Sequence, residues 1–147
     1  MDGNLSEAAL KAALAMAKKA KIPICADPAS SVLAERLKPH LGKLHLIKSN
    51  VAEAIEFTGQ PFESSDPKAA LEAARSLLSL GVDIAIVTLA EFGVVYASSE
   101  TSGHVPAIQT PIIDPTGAGD ALTAAVLFGL GNEMELDDAV RLGVSAA

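Results

Sequence analysis

Aromatic side chains are scarce in this chain: four Phe, one Tyr and no Trp, 3% of its 147 residues. Hydrophobic residues nevertheless make up half of it, so any core must be packed from Ala, Leu, Val and Ile, as α/β cores often are. There is one cysteine, Cys25, which excludes an intramolecular disulfide framework. Its apolar surroundings suit a thiol packed as a small hydrophobe. No run reaches the ~18 apolar residues that a membrane helix requires. The N-terminus also lacks the basic, apolar, small-residue order of an export signal. The expectation is a cytoplasmic protein with no membrane partner. Basic residues are outnumbered, 11 against 18 acidic, for a net charge of −7. They are scattered, and Lys18, Lys19 and Lys21 form only a short cluster. Such a field repels phosphate backbones and argues against a nucleic-acid partner. A small phosphorylated ligand is still compatible, because backbone amides and a metal ion can hold it. His40, His45 and His104 are far apart and lack metal-ligand spacing.

Along the chain, helical and strand patterns alternate. Leu5 to Ala20 is Ala- and Leu-rich with apolar positions at helical spacing; Ser6 suits its cap, and Lys18 and Lys19 suit its C-terminal end. Ile22 to Ala26 reads as a strand ending at the Asp27-Pro28 turn, followed by a polar, partly helical stretch over 31–38. Leu44 to Ile47 is a second strand, feeding a helix from Val51 to Thr58 closed by Gly59. Asp66-Pro67 is a strong helix start, with its stop at Gly81. Strands follow at 83–88 and 93–97, then an extended, Pro-interrupted segment over 104–113. An apolar helix opens at Gly117, and a last helix from Leu136 still runs where the chain stops. This order predicts an α/β fold, a mostly parallel sheet with helices on both faces, in one unit spanning 1–147.

The strongest chemical signal is Asp114-Pro-Thr-Gly-Ala-Gly-Asp120, set directly before the apolar helix. Gly117, Ala118 and Gly119 allow a tight turn and expose amide N–H groups at a helix N-terminus, where the dipole favours negative charge. Such a cradle stabilises charge on a transferring phosphoryl group. Asp120, in the first turn, lies at its lip, where a carboxylate can take a proton from an attacking hydroxyl. A bare Gly-x-Gly-Asp would be an ordinary turn. The complete motif resembles the second signature of PfkB-family carbohydrate kinases, which include ribokinase-like enzymes. The resemblance implies a ribokinase-like fold, Asp120 as catalytic base and 117–119 as anion hole. It also implies Thr116 beside the nucleotide and Asp114 near a monovalent cation, K⁺.

Two further elements gain meaning from that resemblance. Asn50-Val-Ala-Glu53 follows a strand. By itself it is a helix-capping pattern, but it resembles the family's Asn-x-x-Glu element. That implies Glu53 acting on Mg²⁺, with Asn50 behind it and Lys48 in the nucleotide site. Thr88-Leu-Ala-Glu-Phe-Gly93 resembles the family's Thr-x-Gly-x-x-Gly nucleotide loop, which implies Thr88 and Gly93 near ATP. Ala90 departs from the pattern, and its methyl narrows the backbone's approach. Asp27-Pro28 matches an acidic step that the family often places near the phosphates. Lys48, with the stretches 24–30 and 46–53, looks most like pseudouridine-kinase-type members, while Ser49 stands where Pro is commoner.

The resemblance implies ATP-dependent phosphotransfer to a primary hydroxyl of a sugar or nucleoside. It covers the later part of the family's domain, and no Gly-Gly sugar-binding segment is found here. The expectation is therefore a C-terminal catalytic and ATP-binding portion, inactive alone, from a protein that could dimerise through a lid. Two alternatives stand beside it. One is a non-catalytic fragment or nucleotide-binding module on the same fold. The other is a Rossmann-type domain, which would need a Gly-x-Gly-x-x-Gly turn after an early strand, and none is present.

Overall fold

The computed structural model describes residues 1, 3–109 and 114–147. The helix α1 (Glu7–Ala20) begins where expected: the Ser6 hydroxyl accepts the Ala9 N–H, and Lys21 closes the helix in a left-handed conformation, φ 56°. The strand β1 (Cys25–Ala26) is shorter than its apolar run. After it come α2 (Ser31–Leu37), capped by Ser30, and a 3-10 helix, Lys38–Lys43. The pair β2 (Leu46–Asn50) and α3 (Val51–Thr58) follows, with Gly59 left-handed at the close. Asp66 caps α4 (Pro67–Ser79) by accepting the N–H groups of Lys68 and Ala69. The strands β3 (Ile84–Thr88), β4 (Val94–Ser98) and β5 (Ser102–Val105) precede the helices α5 (Ala118–Gly131) and α6 (Leu136–Ala146). Of the extended segment expected over 104–113, residues 110–113 lie outside the described residues.

The five strands form one sheet in the order β1-β2-β3-β4-β5. The first three run parallel; β4 pairs antiparallel to β3, and β5 antiparallel to β4. The strands β2, β3 and β4 alternate between two buried faces. Ile47, Ala85, Val87, Val95 and Ala97 face a core shared with Leu10, Leu14, Ala70, Ala74 and Leu77 of α1 and α4. Leu46, Ile84, Ile86, Val94 and Tyr96 face the other core, with Leu122 and Val126 of α5 and Val140 of α6. Helices therefore cover both faces. The alanines at 70, 74, 85 and 97 explain how a chain poor in aromatics packs densely, because small side chains bring helix and sheet close.

The tight connection from β3 to β4 has a stereochemical signature. Ala90 opens a single 3-10 turn (Ala90–Phe92) at φ 51°, and Gly93 ends it at φ 97°. A Cβ at Gly93 would lie 2.1 Å from the Val105 carbonyl oxygen and 2.6 Å from the Ala107 nitrogen. Only glycine lets the chain pass that close to the end of β5. On the far side, Tyr96 donates its hydroxyl proton to Asp137, 2.5 Å away, while Arg141 holds the other oxygen of Asp137 at 2.7 Å. That network fastens α6 to the sheet.

Candidate active site

The C-terminal ends of β1 and β2 and the N-terminal half of α5 enclose an open cleft of about 640 Å³. Asp27, Lys48, Asn50, Glu53 and Asp120 line it, together with Met1, Ala29, Thr123, Ala124 and Leu127. Four of the residues chosen from sequence, Lys48, Asn50, Glu53 and Asp120, thus meet in one place.

Each is positioned by local structure. Gly117 caps α5 at φ 83°, a left-handed conformation that glycine adopts without strain. The Ala118 N–H bonds to the Pro115 carbonyl, and that of Ala121 to the Gly117 carbonyl. Among the described residues, no acceptor is found for the amides of Gly119 and Asp120. These are the orphan donors of a helix start, and they form a ready site for an anion. Asp120 is exposed in the same turn. Thr123 and Leu127 follow it on the same helical face, and that 3.6-residue spacing is the signal by which they could have been found.

Across the cleft, Asn50 and Glu53 form a reciprocal capping box. The Glu53 N–H donates to Asn50 Oδ1 at 3.0 Å, and the Asn50 N–H donates to Glu53 Oε2 at 2.8 Å. Glu53 is only 2% exposed. Its burial raises the carboxyl above its ordinary value; the Asn50 N–H opposes this, Asp27 adds to it and Lys48 opposes it. The capping and functional readings of Asn-x-x-Glu are therefore not alternatives: one oxygen caps the helix while the residue lines the cleft.

Lys48 reaches over from β2. Its ammonium lies 2.7 Å from Asp27 Oδ2, and a Cβ added to Gly119 would stand 2.9 Å from Lys48 Nζ. The ion pair spans the cleft floor and touches the underside of the α5 turn. Asp27 itself is fixed by its own turn, its Oδ1 accepting the Ala29 N–H at 3.1 Å.

The remaining candidates lie apart from the cleft lining. Thr88 ends β3 in register with Asn50, and its hydroxyl donates to the Ser49 carbonyl at 3.4 Å. Gly93 serves the close approach described above. Thr116 and Asp114 are exposed; the Asp114 carboxylate accepts the Thr116 N–H at 2.9 Å. Hydrogen bonds from the Thr116 side chain and backbone hold the Asp114 carboxyl below its ordinary value. Pairing between Asp27 and Lys48 had no signature in the sequence, because it depends on β1 and β2 lying side by side.

The chain has matches among known proteins. The chain's sequence, over residues 1–147, fits the family described as pfkB family carbohydrate kinase. The chain belongs to that family. Among curated proteins, the guanosine-inosine kinase of Exiguobacterium acetylicum is 38% identical over 80 residues, 53% of this chain and 26% of that protein. The bifunctional protein HldE of Azorhizobium caulinodans is 33% identical over 146 residues, 99% of this chain and 29% of that protein. Among solved structures, a carbohydrate kinase from Agrobacterium tumefaciens superposes with a TM-score of 0.77 at 28% identity, over 99% of this chain and 44% of that one. The chain thus spans less than a third of those two curated relatives and under half of that solved structure. The fold is the ribokinase-like fold expected from sequence. As a pfkB-family chain it has no helix among the described residues long and apolar enough to cross a membrane.

Proposed function

We propose that this chain carries the phosphoryl-transfer end of an ATP-dependent kinase that acts on a primary hydroxyl of a sugar or nucleoside. One observation carries the reading: Asp120 sits at the start of α5 beside amides that have no acceptor among the described residues, facing Lys48, Asn50 and Glu53 across one cleft. In this reading Asp120 accepts the proton of the attacking hydroxyl. The α5 dipole and the amides at its start, of which those of Gly119 and Asp120 have no acceptor among the described residues, stabilise charge on the moving phosphoryl. Most of the rate then comes from holding donor and acceptor in line.

The residues fit Mg²⁺ as kinases hold it. Among the described residues no cluster of three or more His, Cys, Asp or Glu forms a ready cage. Mg²⁺ instead takes one or two carboxylates, with waters and phosphate oxygens completing its shell. Glu53 supplies a hard oxygen donor on the cleft wall. Bound there, the ion would neutralise charge on the triphosphate. Glu53 Oε2 is held by the Asn50 N–H, which fixes the orientation of the carboxylate toward such an ion. Asp114 is the proposed partner of K⁺, Thr88, Gly93 and Thr116 of the nucleotide, and pseudouridine the first acceptor to try. The residues that read the acceptor belong, in this reading, to a part of the domain outside this chain.

The test is ADP formation by the full-length protein on pseudouridine, ribose, adenosine and fructose 6-phosphate, beside its Asp120→Asn variant. Loss of a general base lowers turnover by about 10²–10⁴-fold. Nucleotide binding without transfer to any acceptor, or an equally active variant, would instead favour a nucleotide-binding module.

A further inference from the structure

Asp27 and Lys48 are the one ion pair inside the cleft among the described residues, and their placement is unusual. Their side chains are 23% and 12% exposed. The Lys48 ammonium sits against Gly119, at the positive end of the α5 dipole and next to two amides that have no acceptor among the described residues. A cation there is unfavourable unless an anion accompanies it. In the protein alone that anion is Asp27.

We propose that Asp27 is a built-in competitor for the phosphate site: an entering phosphate takes Lys48 over from Asp27. The inference rests on the kinase reading only in taking the ligand to be a polyphosphate. Three observations support an exchange rather than shared binding. Asp27 Oδ1 is anchored by the Ala29 N–H, so the carboxylate stays in place when Lys48 turns. Lys48 is the flexible partner, with three donors on a four-carbon stem. A phosphate at the Gly119 and Asp120 amides would also face Asp27, and two like charges cannot share one ammonium without cost. Until the exchange, Asp27 gives the Lys48 ammonium a direct counter-charge in the empty cleft. It also weakens the grip on phosphate, which favours release of a nucleotide product.

The experiment is a double-mutant cycle on tripolyphosphate binding, measured by calorimetry without Mg²⁺ in the full-length protein. Asp27→Asn should tighten binding about tenfold, the worth of one charge-assisted hydrogen bond no longer to be broken. Lys48→Gln should weaken it by a similar factor. In the Lys48→Gln background, Asp27→Asn should change affinity less than about twofold. If Asp27→Asn leaves affinity unchanged or lowers it, the proposal falls. If it tightens binding equally without Lys48, plain repulsion is acting and the exchange falls as well. Asp27→Ser, which keeps an acceptor for the Ala29 N–H, gives the same readout should Asp27→Asn fail to fold. Transfer of phosphate to an acceptor is scored separately, so a protein that shows the coupling but no transfer keeps the exchange and loses the kinase reading.

Discussion

Replacing Ala90 by glycine should stabilise this protein, against the usual direction of such a change. Ala90 opens the turn between β3 and β4 at φ 51°, in the left-handed region where a Cβ crowds the following carbonyl. That crowding costs roughly 1–2 kcal/mol for a residue with a side chain. Glycine removes the cost but enlarges the unfolded ensemble, giving back roughly 0.4–1 kcal/mol. The net gain is about 0.5–1 kcal/mol. In a chain of 147 residues this should raise Tm by about 2 °C, since 1 kcal/mol shifts a domain of this size by roughly 2–4 °C. The control is Ala12→Gly on the exposed face of α1, where the same change should lower stability by about 1 kcal/mol. Thermal unfolding of the two variants beside the parent decides the matter. If Ala90→Gly lowers Tm as Ala12→Gly does, position 90 is not held left-handed and the account of this turn is wrong.

Glu53→Gln should expose the cost of a buried carboxylate. Because burial raises its value in the folded state above the ordinary one, the folded protein binds that proton more tightly than the unfolded chain. The associated stability is present at low pH and is lost as pH rises through the raised value. Glutamine keeps an acceptor for the Asn50 N–H and has no such loss. The variant's advantage in Tm should therefore widen between about pH 4 and pH 7, while its phosphotransfer rate falls; a constant gap would refute the assignment. Gly93→Ala should cost roughly 3 kcal/mol through strain and overlap with the Val105 carbonyl. Hydrogen exchange should then show β5 loosened from β4, and a fully protected β5 would count against it. Asp120→Asn should leave Tm within about 1 °C of the parent, because the side chain is exposed, so that its loss of turnover reads as chemistry.

Local chemistry was well written in the sequence. Ser6, Asp66-Pro67 and Gly59 mark their helix ends because a cap is decided by a few adjacent residues. The stretch 31–43 was harder. Its helix is short and passes at once into a 3-10 helix, so no period had room to build. Strand lengths near β1 were overread, because an apolar run tells of burial and not of pairing. The Asp-to-Asp motif and Asn50-x-x-Glu53 were legible as separate pieces of sequence. Their convergence on one cleft follows from β2 standing beside β1 while α5 folds back over the sheet, which no window of sequence contains. Lys48 shows the limit best. Its position before Asn50 is visible, yet its partner Asp27 is 21 residues away, and its neighbour Gly119 lies farther still.

The spatial order of the strands repeats their order along the chain. During synthesis, each strand therefore emerges when the neighbour it needs is already made, and the sheet can grow by addition at one side. The two helices covering its second face follow all five strands. Until α5 leaves the ribosome, Lys48 and Glu53 are present without the turn they face. A nascent chain thus completes this cleft only after every strand of the sheet has been made.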